Sequence, residues 1–198
     1  MIYGVHGLYV VKNPNYMDLL LQALRGKGHK TYSFRYGLLT VFQTYCSWLE
    51  SKRAKQLLSM LKNGDSIIGH SFGAVVINDT LRLLSEHNYN NPENPIKLNK
   101  VYLFNAALHT DTHLNTEHVS KIYVFYDKKD WILKLATLLP DSIMGNMGQI
   151  GAKILNSRIE NIEIEDEAPF WSYVHKRVFT NSNKLSEYCD IIHKLEAE

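Results

Sequence analysis

Six short runs of β-branched and aromatic residues recur along the chain: "MIYGV" at 1–5, "KTYSFRY" at 30–36, "SIIG" at 66–69, "KVYLFN" at 100–105, "KIYVFY" at 121–126 and "RIENIEI" at 158–164. Each has the length and composition of a strand. Longer stretches with helical spacing lie between them. "YMDLLLQALRG" ends at Gly26 as a helix C-terminus does, "TVFQTYCSWLESKRAKQLLSMLKNG" ends at Asn63-Gly64, and "FGAVVINDTLRLLSEH" runs into an Asn/Pro-rich surface loop at 88–95. "NKLSEYCDIIHKLEAE" reads as a closing amphipathic helix with Leu185, Tyr188, Cys189 and Ile192 on one face. Strands alternating with helices make βα units, which are stable chiefly as a parallel sheet covered by helices on both faces. The expected fold class is therefore α/β: a three-layer αβα sandwich around a mostly parallel sheet of about six strands.

With 198 residues, the chain is expected to form one domain spanning 1–198. Its 45% hydrophobic and 21% charged residues fit an ordinary soluble protein with little room for a long disordered tail. A net charge of +2 without a block of like charge argues against a nucleic-acid partner. Cys46 and Cys189 have no metal or Cys-x-x-Cys spacing and are read as free thiols, which fits a reducing compartment. The N-terminus lacks a basic segment followed by an apolar one, and nowhere do eighteen uncharged apolar residues run together. The expectation is a cytoplasmic protein with no secretory signal and no integral membrane segment.

The stretch "DSIIGHSFGAVV" at 65–76 places Ser71 between Gly69 and Gly73, at the corner between a buried strand and a helix. Gly-x-Ser-x-Gly in that setting is the nucleophile elbow: the serine sits on a sharp turn, and the two small residues let strand and helix approach closely. With only 11 glycines in the chain, a chance match at such a corner is rare, and the bland reading is a tight connecting turn.

A serine hydroxyl is a weak nucleophile at neutral pH and needs a general base, which in turn needs an orienting carboxylate. On an elbow fold these partners follow in the order acid, then histidine. "KIYVFYDKKDWIL" offers Asp127 and Asp130; Asp130 is favoured because the apolar "WIL" after it would anchor it, the alternative being a solvated carboxylate or helix N-cap. For the base, His175 follows the last strand and its acidic loop, whereas His193 lies on the terminal helix near charged residues. The oxyanion donors would be the backbone N–H groups of Phe72, after the nucleophile, and Leu8, after the His6-Gly7 turn.

With Ser71, Asp130 and His175 in this order, the sequence resembles the α/β-hydrolase superfamily, in particular its small capless lipases and esterases. The resemblance covers nearly the whole chain: the His6-Gly7-Leu8 turn, the Gly69-His70-Ser71-Phe72-Gly73 elbow, the acid in "DKKDWIL" and the late histidine. It implies a shortened sheet lacking the first hairpin of larger members. The chain departs from the family pattern at the histidine, which follows Tyr173-Val174 rather than a small residue.

The expected function is a serine hydrolase that cleaves a carboxylic ester on a small-molecule acyl substrate, with no metal or organic cofactor. Thioester or amide cleavage, acyl transfer, and a non-catalytic binding module on the same fold are the alternatives. Residues 131–157 are expected to form a helix and a Gly/Met-rich loop beside the site, read either as a partial lid or as a plain connection. Trp131 and Trp171 are candidates for the acyl pocket or for core packing. His109, Asp111, His113 and His118 raise a metal question, answered in favour of a polar loop because no helix puts His109 and His113 on one face. His6 and His70 are read as structural rather than as proton carriers.

Overall fold

A computed structural model describes residues 1–7, 16–35, 47–137, 144–164, 175, 179 and 181–198. The strands are β1 (Ile2–Val5), β2 (Thr31–Phe34), β3 (Ser66–His70), β4 (Leu98–Phe104), β5 (Val119–Tyr126) and β6 (Ile159–Glu163). They form one sheet in the order β2-β1-β3-β4-β5-β6, and every neighbouring pair is parallel. All six strand runs of the sequence are strands of this sheet.

The helices are α1 (Tyr16–Gly26), α2 (Ser47–Leu58), α3 (Gly73–Asn90), α4 (Trp131–Ala136), α5 (Met147–Ile150) and α6 (Ser182–Ala197). Side-chain alternation along the strands explains the layering. Tyr3, Val5, Ile67, Val101, Leu103, Ile122 and Val124 join one core, shared with Leu57 of α2 and Val76 and Leu84 of α3. Their neighbours Ile2, Ile68, Tyr102, Phe104, Tyr123 and Phe125 join the other, with Leu20 and Leu24 of α1 and Tyr188 and Ile192 of α6. A sheet buried on both faces calls for near-continuous apolar strands rather than alternating ones, which is what the runs of β1, β3, β4 and β5 contain, while the edge strands β2 and β6 are partly exposed. The result is the three-layer sandwich. On the α1/α6 face the in-register pairs Tyr102–Tyr123 and Phe104–Phe125 stack, with ring centroids 5.5 and 4.2 Å apart.

Two helix ends differ from expectation. The second helix stops at Leu58 rather than at Asn63-Gly64, and residues 40–46 of the expected helix lie outside the described residues. Beyond Leu58 the chain tightens: the Met60 and Leu61 N–H groups donate three residues back, to the Leu57 and Leu58 carbonyls. The third helix instead continues through Asn90, into the expected loop. Buried Asn88 donates to the Ile96 carbonyl and accepts from the Ile96 N–H, tying the returning chain to the helix and making asparagine tolerable there.

After β1 the chain crosses one face of the sheet through α1, and after β3 it crosses the other through α3. The strand order reverses between these two strands, so the crevice beyond their carboxyl ends is where such a sheet takes a ligand.

Candidate active site

Ser71 lies in that crevice, directly after β3. Its φ is +56°, in the left-handed region where a non-glycine residue is held at a cost of roughly 1–2 kcal/mol. Hydrogen bonds hold the turn: the Ser71 N–H donates to Phe104 O (3.0 Å), and the Ser71 carbonyl accepts from Ala74 N (3.0 Å) and Ala107 N (3.2 Å). A Cβ on Gly73 would lie 2.5 Å from Val5 O and 2.7 Å from His6 O, and one on Gly69 would lie 2.4 Å from Ile77 Cδ1. Gly73 needs glycine because its Cβ would strike fixed backbone oxygens, whereas at Gly69 the Ile77 side chain would have to shift.

His175 brings its Nε2 to 2.8 Å from Ser71 Oγ and its Nδ1 to 2.6 Å from Asp130 Oδ2. An ionised carboxylate only accepts, so Nδ1 carries the proton and Nε2 is left to accept from the serine hydroxyl. Asp130 has no exposed surface and His175 only 8%. Burial alone would raise the Asp130 pKa. The hydrogen bond from His175 and its electrostatic attraction, with donors from Asn105 and the Leu133 N–H, outweigh burial and hold it below the ordinary aspartate value. Asp130 is also the N-cap of α4, accepting from Leu133 N at 3.4 Å, so one side chain both contacts His175 and caps the helix.

Asp127, the other acidic candidate, is buried and turned into its own loop, where Oδ1 accepts from Lys129 N at 2.8 Å. His193 lies on α6, with its Nδ1 2.9 Å from His29 Nε2. Phe72 is the N-cap residue of α3, with its ring buried; its N–H therefore stands at the start of the helix, where backbone donors have no intrahelical partner. Leu8 and Trp171 lie outside the described residues. Trp131 opens α4, half-buried.

One residue of the site was missed in the sequence. Asn105 follows β4 with φ +46°, is fully buried, and donates from Nδ2 to Asp130 Oδ2 at 2.8 Å. Asparagine is enriched in the left-handed region, so an Asn ending an apolar strand was the available signal.

His6 and His70 are buried beside the site. His6 Nε2 donates to Ser33 Oγ (2.7 Å), whose own proton goes to Asp18, and burial pushes the His6 pKa down to about 4. His70 Nε2 donates to the His175 carbonyl (2.9 Å), and burial followed by the neighbouring His175 pushes its pKa down to about 3. The expected Gly/Met-rich segment docks on the strand ends: Gly145, Met147 and Gly148 donate backbone hydrogen bonds to the carbonyls of Ala107, Leu108 and Ala106, and residues 138–143 lie outside the described set. Among the described residues no group of three or more His, Cys, Asp or Glu side chains is placed to hold a metal ion, and no helix is long and apolar enough to cross a membrane.

No protein-family profile matches the chain, and no curated protein matches it in sequence. Solved structures do match it in shape. Alpha/beta hydrolase domain-containing protein 10 from mouse is similar with a TM-score of 0.57 at 12% identity, over 98% of this chain and 88% of that one. The ydeN gene product from B. subtilis gives 0.54 at 14%, over 100% and 98%, and the esterase Pf2001 from Pyrococcus furiosus gives 0.51 at 13%, over 98% and 80%. The chain has the α/β-hydrolase fold.

Proposed function

We propose that this protein is a serine hydrolase that cleaves a carboxylic ester through an acyl-enzyme. The observation that carries the reading is the unbroken contact from Ser71 Oγ through His175 to Asp130, at 2.8 and 2.6 Å, with the serine on a left-handed elbow. Ser71 Oγ attacks the ester carbonyl carbon while its proton passes to His175 Nε2. Asp130 keeps the imidazole in the tautomer that can accept this proton, and its negative charge stabilises the imidazolium. The intermediate's oxyanion is met by the Phe72 N–H and, in this reading, by the Leu8 N–H, each worth about 2.7–4 kcal/mol of barrier. The carbon–oxygen bond to the alcohol then breaks, and the alcohol leaves with the proton from His175. Water adds to the acyl group, giving a proton to His175 that returns to Ser71 as the acid departs. The residues close this cycle without a metal or organic cofactor.

The test is covalent labelling with a fluorophosphonate, together with hydrolysis of a graded series of nitrophenyl esters. Labelling and hydrolysis in the wild type that are both lost in Ser71→Ala support the reading. A wild type that neither labels nor turns over any ester in the series overturns it in favour of a binding module.

A further inference from the structure

The residue between Gly69 and Ser71 is a histidine, and its imidazole faces away from the nucleophile's α3 core, into the α1/α6 side of the sheet. There it is enclosed by Tyr16 and Phe179, with ring centroids 4.9 and 5.6 Å away, and by His175 itself at 4.9 Å. Its Nε2 lies 2.9 Å from the backbone oxygen of His175. A carbonyl only accepts, so Nε2 carries the ring proton and Nδ1 is the bare nitrogen. That Nδ1 is buried and has no hydrogen-bond partner among the described residues. A side chain selected for packing alone would be apolar here, as Ile67 and Ile68 are on the same strand; the unsatisfied nitrogen comes with a donor needed on the other side of the ring.

We propose that His70 is a positioning residue that clamps the backbone of His175 to the strand end carrying Ser71, setting the separation of nucleophile and base; the inference rests on the hydrolase reading above. His70 and Ser71 are consecutive, and each holds His175 at a different point, one at the main-chain oxygen and one at Nε2. The bonds to Ser71 and Asp130 hold the two ring nitrogens but leave the backbone that carries the ring to be located separately. With the carbonyl also fixed, 105 residues away in the chain, the backbone and ring are located together. The clamp must also be neutral, since a second cation beside His175 would oppose the charge that His175 acquires. Burial keeps His70 unprotonated down to about pH 3.

Two amides of different reach test this. In His70→Gln the side-chain nitrogen extends to about where Nε2 lies, whereas in His70→Asn it falls short. The expected result is that His70→Asn lowers kcat by roughly ten- to a hundredfold with KM within about twofold, while His70→Gln stays within about threefold of wild type. His70→Met, which fills the volume without a donor, replaces the Asn variant if that one does not fold, and is expected to behave as the Asn variant does. In parallel, the downfield proton resonance of His175 Nδ1–H is expected to persist in wild type and His70→Gln and to shift or broaden in the variant without reach. Equal kcat in the long and short amides, or an unmoved resonance in both, overturns the clamp. A wild type with no esterase activity defeats the hydrolase reading alone, and the resonance comparison still decides the role of His70.

Discussion

Asp130 binds two elements with one carboxylate: Oδ2 holds the His175 imidazole at 2.6 Å, while Oδ1 accepts more loosely from the Leu133 N–H that opens α4. The His175 imidazole is thereby registered to the first turn of a helix. Asp127, three residues earlier, accepts from Lys129 N in its own turn.

Asp130→Asn is therefore expected to lower kcat by about 10⁴-fold, because an amide can stabilise the wrong imidazole tautomer and no longer offsets its charge. Asp127→Asn retains an oxygen able to accept from Lys129 and should cost less than about tenfold. Steady-state hydrolysis of a nitrophenyl ester by the two variants decides between them, and the reverse order would move the orienting role to Asp127.

Asn105 can be examined without disturbing its backbone. Asn105→Gly keeps the left-handed conformation available at φ +46° but removes the donor to Asp130 Oδ2. A hydrogen bond to a charged acceptor is worth about 1.5–3 kcal/mol, so kcat should fall roughly ten- to a hundredfold. Turnover unchanged in a folded Asn105→Gly protein would show that His175 and the Leu133 N–H suffice to orient the carboxylate.

Acid should destabilise the protein well before its carboxylates titrate. His6 and His70 have ordinary values of 6.5 lowered to about 4 and about 3 by burial. Between those limits the unfolded chain binds protons that the native one does not, so the stability they confer is complete above pH 6.5. It drains as pH falls toward 4 for His6 and toward 3 for His70, by at most about 1.4 kcal/mol per pH unit for each. Asp130, lowered from its ordinary value, loses its contribution later, as pH drops below the usual aspartate range. Urea unfolding at a series of pH values should show this slope, shallower in His70→Gln; a flat profile from pH 7 to 4.5 contradicts it.

The elbow glycines differ from those at the surface in a way that stability measurements can read. Gly73→Ala would drive a methyl group against two backbone oxygens, whereas a Cβ at Gly26 meets nothing within 4 Å. Gly73→Ala is expected to cost about 1–3 kcal/mol or more and to reduce turnover. Gly26→Ala should be neutral or stabilise by about 0.4–1 kcal/mol. Chemical denaturation that ranks the two the other way would exclude close approach at the elbow.

The strands were legible because a sheet buried on both faces writes its burial into consecutive apolar residues, as in "KVYLF" and "KIYVF". Helix ends were not, since they depend on partners from elsewhere: α3 persists through Asn88 only because Ile96 returns to it, and no local pattern contains that meeting. Ser71 could be found from its own five residues, because the elbow's steric demand is local. Asp130 and His175 are legible only through their order along the chain, and the contact of Asn105 with Asp130 spans 25 positions and leaves no local mark.

The separation of 104 residues between Ser71 and His175 also has a temporal meaning. A ribosome adding about 5–20 residues each second releases the serine roughly 5–20 s ahead of its imidazole partner. During that interval the nascent polypeptide carries Ser71 without the imidazole that contacts it in the folded chain.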